Sequence, residues 1–397
     1  AEYHHRYSEI NVRPLSDGQV NEMVDHLLAI ADIPQDLRDR IQERANGNPF
    51  FVEEVVRSLI DSRAVVAKEQ LVDGQMLTIW QASGDSRQID IPDNLQSLLA
   101  ARIDRLEEDT RLILQIAAVI GRTFYRRVLE ALDSSVDGTG AQIERQVNLL
   151  LRIEMIREAA RLPELEYKFN NPLTQEVAYQ TILLRRRREL HCRVGQVLET
   201  LFSEQLVELA PRLAYHFSEG EMPEKAFEYF MLAGETAARL YANDEAVKQY
   251  GRALALLDEV DGGHDQLTTL FVRRGRALEL LGRYQEAVEN YETMLTLARE
   301  RGDRLLEFEA LVAQAIVRST PNQVFDAELS DRLNQEALEL AQELDQKPVE
   351  ARILWNLMLR QMWGKFYYPG AVEYGEAAMK VAREANLTDQ LGKILND

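Results

Sequence analysis

The sequence predicts a mainly α protein with minor β hairpins, closing in a right-handed superhelix of paired helices. Three observations lead there. Apolar residues recur at the three-and-four spacing of helices along most of the 397 residues. Small residues return at a nearly fixed step, because Ala246-Val247, Ala287-Val288, Ser330-Asp331 and Ala371-Val372 stand 41, 43 and 41 residues apart. Two places read as hairpins instead: Ala64–Val66 with Met76–Trp80, and Met155–Arg157 with Leu165–Phe169.

The length leaves room for about two to four domains, and 46% apolar content is ample for packed cores. A formal charge of −20 argues against nucleic acid or an anionic membrane as partner, since both need a basic face. Cys192 is the only cysteine, so no internal disulfide forms and a reducing, cytoplasmic compartment is expected. No apolar run approaches the ~18 residues that span a bilayer, and Ala1–Arg6 lacks a signal-peptide core. The chain begins without methionine and its last residues, Thr388–Leu395, open another helix of the repeat. A piece of a larger protein is therefore expected.

In order, Tyr7–Arg13 alternates like a strand that needs a sheet elsewhere. Ser16 and Asp17 cap a helix to about Ile30, with Val20, Met23, Val24, Leu27 and Leu28 on one face. Pro34 opens a helix through Leu37 to Ala45, which Gly47 closes in the left-handed region. Asn48 can cap the next helix, Pro49 takes its tolerated first position, and Glu53-Glu54 suit its positive end. The first hairpin turns near Asp73-Gly74, and Pro92 marks a boundary.

From Asn94 to about Leu190 the order is that of a winged helix. Helices are expected at Leu95–Leu106, Thr110–Ile120, Tyr125–Leu132 and Ala141–Leu151, then the second hairpin around Pro163, then a helix Pro172–Leu184. Gln142–Leu149 is the helix that would enter a DNA groove, and it carries no excess positive charge. Asn171 reads as the cap of the Pro172 helix. Arg185–Arg188 wraps around a helix and reads as a solvated, ion-paired stretch.

Beyond Leu206 everything reads as helix. Ala253, Met294, Ala337 and Ala378 follow the repeated small residues by seven positions. Ala226 with Phe230, Ala246 with Tyr250 and Ala287 with Tyr291 fit the Ala-x3-Phe piece of the tetratricopeptide pattern, with longer helices. The alanines would let paired helices approach, and the aromatics would fill gaps between pairs.

Gly47–Glu54, Ile91–Leu106 and Ala117–Phe124, in that order, resemble the segment downstream of the nucleotide-binding core in STAND/AAA-type signal-transduction ATPases. The likeness is greatest to the large regulators often joined to adenylate/guanylate cyclase domains. The resemblance implies a last core strand (residues 1–15), a helical lid (16–92), a winged helix (93–190) and a tetratricopeptide-like sensor superhelix (191–397). It also implies that Gly47, Asn48 and Pro49 bind the ADP or ATP of the parent protein, with Pro49 against the adenine. Relatives carry a β-phosphate-sensing histidine where this chain has Asn171, whose amide can donate but cannot become a cation. Expected partners are an ATPase core and a protein or small-molecule ligand on the superhelix.

No Gly-x4-Gly-Lys-Ser/Thr loop, His-Glu-x2-His, Cys-x2-Cys or Gly-x-Ser-x-Gly occurs in the sequence. No catalytic constellation or metal set is therefore predicted, and the fragment itself is expected neither to be an enzyme nor to hold a cofactor. A free-standing tetratricopeptide scaffold and the control region of a nucleotide cyclase stay open as alternatives.

Overall fold

The computed structural model describes residues 12–28, 31–72, 75–83, 89, 91–133, 140–162, 164–260, 262–364 and 368–396. The expected strand at Tyr7–Arg13, apart from Val12 and Arg13, lies outside them, as do Asp73, Gly74 and Pro163. The chain divides into two compact units, Ala1–Val197 and Leu198–Asp397.

Ser16 starts α1 (Asp17–Leu27) with a capping box, its N–H donating to the Gln19 side chain at 2.9 Å and its hydroxyl accepting from the Gln19 N–H. The helix stops short of Ile30, and Leu27 is exposed while Val20, Val24 and Leu28 are buried. With α2 (Gln35–Ala45) and α3 (Pro49–Asp61), these residues build a core around Leu37, Ile41, Val52 and Val55 that reaches Leu98. The hairpin β2 (Val65–Val72) and β3 (Gln75–Ala82) pairs in antiparallel register. A two-residue strand, β1 (Ala31–Asp32), joins β3 in parallel, too short to signal itself in the sequence.

The second half of this unit begins with α4 (Leu95–Asp104), where Asn94 accepts from the Ser97 N–H at 2.8 Å. There follow α5 (Glu108–Ile120), β4 (Thr123–Tyr125), α6 (Arg126–Asp133), α7 (Gly140–Arg152), β5 (Ile156–Ala160), β6 (Glu166–Phe169), α8 (Pro172–Gln180) and α9 (Leu184–Leu201). The unforeseen β4 completes an antiparallel sheet of order β4-β6-β5. Phe124 holds it together, with its ring 5.8 Å from Tyr167 and 5.9 Å from Phe169. On α7, Gln142 donates to Asp109 at 3.2 Å and the buried Gln146 accepts from Thr110. The helix that would enter a DNA groove thus spends these side chains on α5.

One helix is expected over Pro172–Leu184, and two are found. The end of α8 is tied off by side chains: Thr181 donates to the Ala178 carbonyl at 2.6 Å, and Arg187 to the carbonyls of Gln180 and Ile182 at 3.0 and 2.9 Å. Arg187 is therefore an anchor, while Arg185 and Arg186 pair with Glu189 in solvent. The boundary expected at residue 190 falls inside the continuous α9, and no division between compact units separates 16–92 from 93–190.

His191, buried on α9, shares a hydrogen bond with the Tyr179 hydroxyl at 3.0 Å. Burial first, and the nearby Arg187 charge second, push its pKa down to about 4. The unfolded chain therefore binds a proton between about pH 6.5 and 4 that the folded unit refuses. Stability is fully present above the unfolded value and is lost as pH falls through that window, by on the order of 3 kcal/mol. Denaturant unfolding at pH 7 and pH 4.5 is expected to show this loss, and the slope is expected to shrink in His191→Gln.

The second unit is a tetratricopeptide-like helical repeat. It runs through α10 (Leu206–Glu219), α11 (Pro223–Arg239), α12 (Asn243–Leu254), α13 (His264–Leu280), α14 (Tyr284–Arg301), α15 (Arg304–Ser319), α16 (Ala327–Glu343), α17 (Lys347–Leu359), α18 (Tyr368–Glu384) and α19 (Thr388–Asn396). Every repeated small position is buried: Ala246, Ala287, Ser330 and Ala371, then Ala253, Met294, Ala337 and Ala378. Two of the aromatics lie against glycines of the preceding helix, and Tyr250 also meets Arg273 of α13. A Cβ on Gly234 of α11 would lie 2.6 Å from the Tyr250 ring of α12, and one on Gly275 of α13 2.3 Å from the Tyr291 ring of α14. Each tyrosine thus seats in the notch of the preceding helix, within a pair. Ala226 and Phe230 lie on α11, which packs against α10 on one side and α12 on the other.

Candidate functional site

Gly47, Asn48 and Pro49 form one turn between α2 and α3. Asn46 and Gly47 are both left-handed, with φ 44° and 71°, so α2 closes one residue earlier than Gly47 alone would close it. The Leu15 N–H donates to the Gly47 carbonyl at 2.8 Å, and Pro14 and Leu15 lie across the turn. A Cβ on Gly47 would stand 2.5 Å from the Leu15 carbonyl oxygen and 2.7 Å from Pro14 Cβ. Glycine is required here twice, by the backbone conformation and by the crossing chain.

Asn48 caps α3, its side chain accepting from the Phe50 N–H at 3.0 Å and its own N–H donating to the Ala45 carbonyl at 2.8 Å. Pro49 is the first residue of α3 and is exposed. Behind it Phe51, Val52, Val55, Val56 and Leu59 are buried. An apolar ring is thereby held out to solvent from a helix start that cannot shift without disturbing a core.

The two acids placed in the first turns of α3 divide their work. Glu54 does not serve the helix dipole; its carboxylate pairs with the Arg102 guanidinium of α4, the side chains being 8% and 4% exposed. Burial pushes the Glu54 carboxyl up, partly offset by Arg102 and Arg57. Arg102 also faces Asp61 at 3.3 Å and donates to the Ile153 carbonyl at 3.3 Å, and Arg105 donates to the Ser58 hydroxyl at 3.1 Å. Glu53 accepts from Arg57 at 2.6 Å, and Arg57 also pairs with the Glu154 carboxylate. Burial opposes the Arg57 charge, but the two carboxylates outweigh it and hold its pKa above the usual arginine value. Apart from Glu53–Arg57, one turn apart on α3, these contacts are invisible in the sequence because their partners lie roughly forty to a hundred residues apart.

Asn171 caps α8, its side chain accepting from the Leu173 N–H at 2.8 Å. Its amide nitrogen makes no hydrogen bond among those described, so a donor remains for an incoming oxygen. No described contact joins Asn171 to the Gly47–Pro49 turn. A separate cleft of about 330 Å³, lined by Asp104, Arg111, Gln115, Thr181, Ile182, Leu183 and Arg186, contains none of these residues. Among the described residues, no group of three or more His, Cys, Asp or Glu could hold a metal ion, and no helix is long and apolar enough to cross a membrane.

Residues 16–71, from α1 into β2, match the model of a domain of unknown function (DUF8739). No curated protein matches the sequence. Among solved structures, the apo form of RapI is similar over 52% of this chain and 74% of its own, at 14% identity and a TM-score of 0.41. A Signal Transduction ATPase with Numerous Domains (STAND) protein with a tetratricopeptide repeat sensor, from Pyrococcus horikoshii, matches over 98% of this chain and 63% of its own, at 12% identity and a TM-score of 0.37. Aspartyl phosphate phosphatase F from Bacillus subtilis matches over 98% and 80%, at 13% identity and a TM-score of 0.37.

Proposed function

We propose that the chain is the regulatory part of a STAND-type signal-transducing ATPase. Residues 16–197 clasp an adenine nucleotide held on an ATPase core, and the repeat unit binds a protein or small-molecule ligand. The exposed Pro49 on the fixed start of α3 carries this reading: a flat apolar surface, immobilised from behind, suits an adenine face. The order α5, β4, α6, α7, β5, β6 with sheet order β4-β6-β5 supports the winged-helix assignment of the neighbouring elements.

In the repeat unit, Tyr215, Leu240, Tyr241, Leu280 and Phe325 are exposed and offer apolar contact surface to a partner. A ligand there favours an open state by no more than its difference in affinity for the two states. Bound ADP would supply the phosphates. Asn171 would donate to one of them, and the Gly47–Pro49 turn would hold the base.

The test uses the protein expressed from its complete reading frame. ADP affinity by calorimetry is expected to fall roughly tenfold in Pro49→Ala, about 1.4 kcal/mol, and to be unchanged in Leu240→Ser on the repeat unit. The 397-residue chain alone is expected to show no ATP turnover. Equal ADP affinity in Pro49→Ala, or turnover by the isolated chain, would overturn the proposal; a parent protein without a phosphate loop would leave the scaffold reading.

A further inference from the structure

We infer that Arg57 is a positioning residue that fixes Asn171 relative to the Gly47–Pro49 turn, through the turn between α7 and β5. The inference rests on the nucleotide-clasp reading for its purpose, but on geometry alone for its existence.

Arg57 lies on α3, two helical turns beyond Pro49. Its Nη2 reaches Glu53 on its own helix and the Glu154 carboxylate. Glu154 holds the tip of the α7–β5 turn with a left-handed φ of 57°. A glutamate is strained there relative to glycine, and its ion pair with Arg57 offsets part of that cost. The main chain of the same turn is gripped from both sides. The Ile153 carbonyl accepts from Arg102 at 3.3 Å, and the Glu154 carbonyl accepts from the Asn170 side chain at 2.5 Å. The Asn170 N–H donates to the Met155 carbonyl at 3.1 Å. Asn170 is bonded to Asn171, whose side chain then starts α8.

The line from Pro49 to Asn171 therefore runs through α3, Arg57, Glu154 and Asn170, with a hydrogen bond or covalent bond at each step. Two groups on separate helices, meant to meet one bound molecule, are held at one spacing before it arrives. The Arg57–Glu154 pair is part-exposed, 24% and 54%, so its own worth is modest. What it controls is where the turn sits.

Hydrogen exchange of the nucleotide-free 397-residue chain tests the link. In Arg57→Met the amides of Asn170 and Leu173 are expected to exchange about fivefold faster, with α13 and α14 unchanged. The charge-inverted set Glu53→Arg, Arg57→Glu and Glu154→Arg, which keeps both pairs of Arg57 with their signs exchanged, is expected to restore the wild-type rates, since this chain already holds an arginine, Arg63, in the left-handed region. Should Arg57→Met unfold the whole unit, Glu154→Gly serves instead, which removes the carboxylate while relieving the backbone, and the same local acceleration is expected. Unchanged rates at Asn170 and Leu173 in the folded variant, or no recovery in the charge-inverted set, would overturn the link. Because the rates are read without nucleotide, failure of the parent protein to bind ADP would sink the clasp and leave the link standing.

Discussion

Replacing Arg102 with methionine is expected to destabilise the first unit by about 3–5 kcal/mol. The loss is not the worth of an ion pair. Glu54 would be left almost sealed, with its nearest counter-charge gone and burial already raising its pKa. The Ile153 carbonyl and Asp61 would lose a donor as well. Removing both charges is expected to behave differently: Glu54→Leu together with Arg102→Met leaves no stranded carboxylate and should recover much of the loss. Denaturant unfolding of the two single variants and the double variant forms the cycle. Additive losses would mean that the charges do not act as a pair.

Gly47→Ala is expected to cost about 2–4 kcal/mol, combining left-handed strain with a methyl group driven into backbone. Leu15 and Pro14 cannot yield as a flexible side-chain end would, since the nearest atoms are a carbonyl oxygen and a ring carbon next to the chain. The neighbouring Asn46→Ala makes the comparison. Asn46 is also left-handed but exposed, so only the strain applies and about 1 kcal/mol is expected. Thermal unfolding of both variants separates the two contributions. Equal, small losses would mean that Pro14 and Leu15 do not lie across the turn.

What the sequence reveals and what it hides follows from range. Asn48, Pro49 and Asn171 are legible because a cap needs only its next few residues, and each asparagine accepts from an N–H two positions on. The repeat is legible because buried alanines recur through separate helices at the same depth. The seating of Tyr250 on Gly234 depends on pairing within the repeat, and a fixed step does not say which neighbour receives the ring. β4 escapes notice because three residues, Thr123–Tyr125, are too few to alternate, though their β-branched and aromatic character after Gly121 is a usable hint. Glu54 reads as a dipole partner because its true partner lies forty-eight residues away. No local pattern carries that distance.

The proline at the head of α3 is the residue on which the functional reading turns. Photolabelling with an adenine-azido analogue of ADP, on the protein expressed from its complete reading frame, addresses it directly. Trypsin should release the turn as the peptide Ala45–Arg57. Label in that peptide, competed by ADP and lost in Pro49→Ala, is the predicted result. Label that is competed by ADP yet confined to other peptides would contradict it.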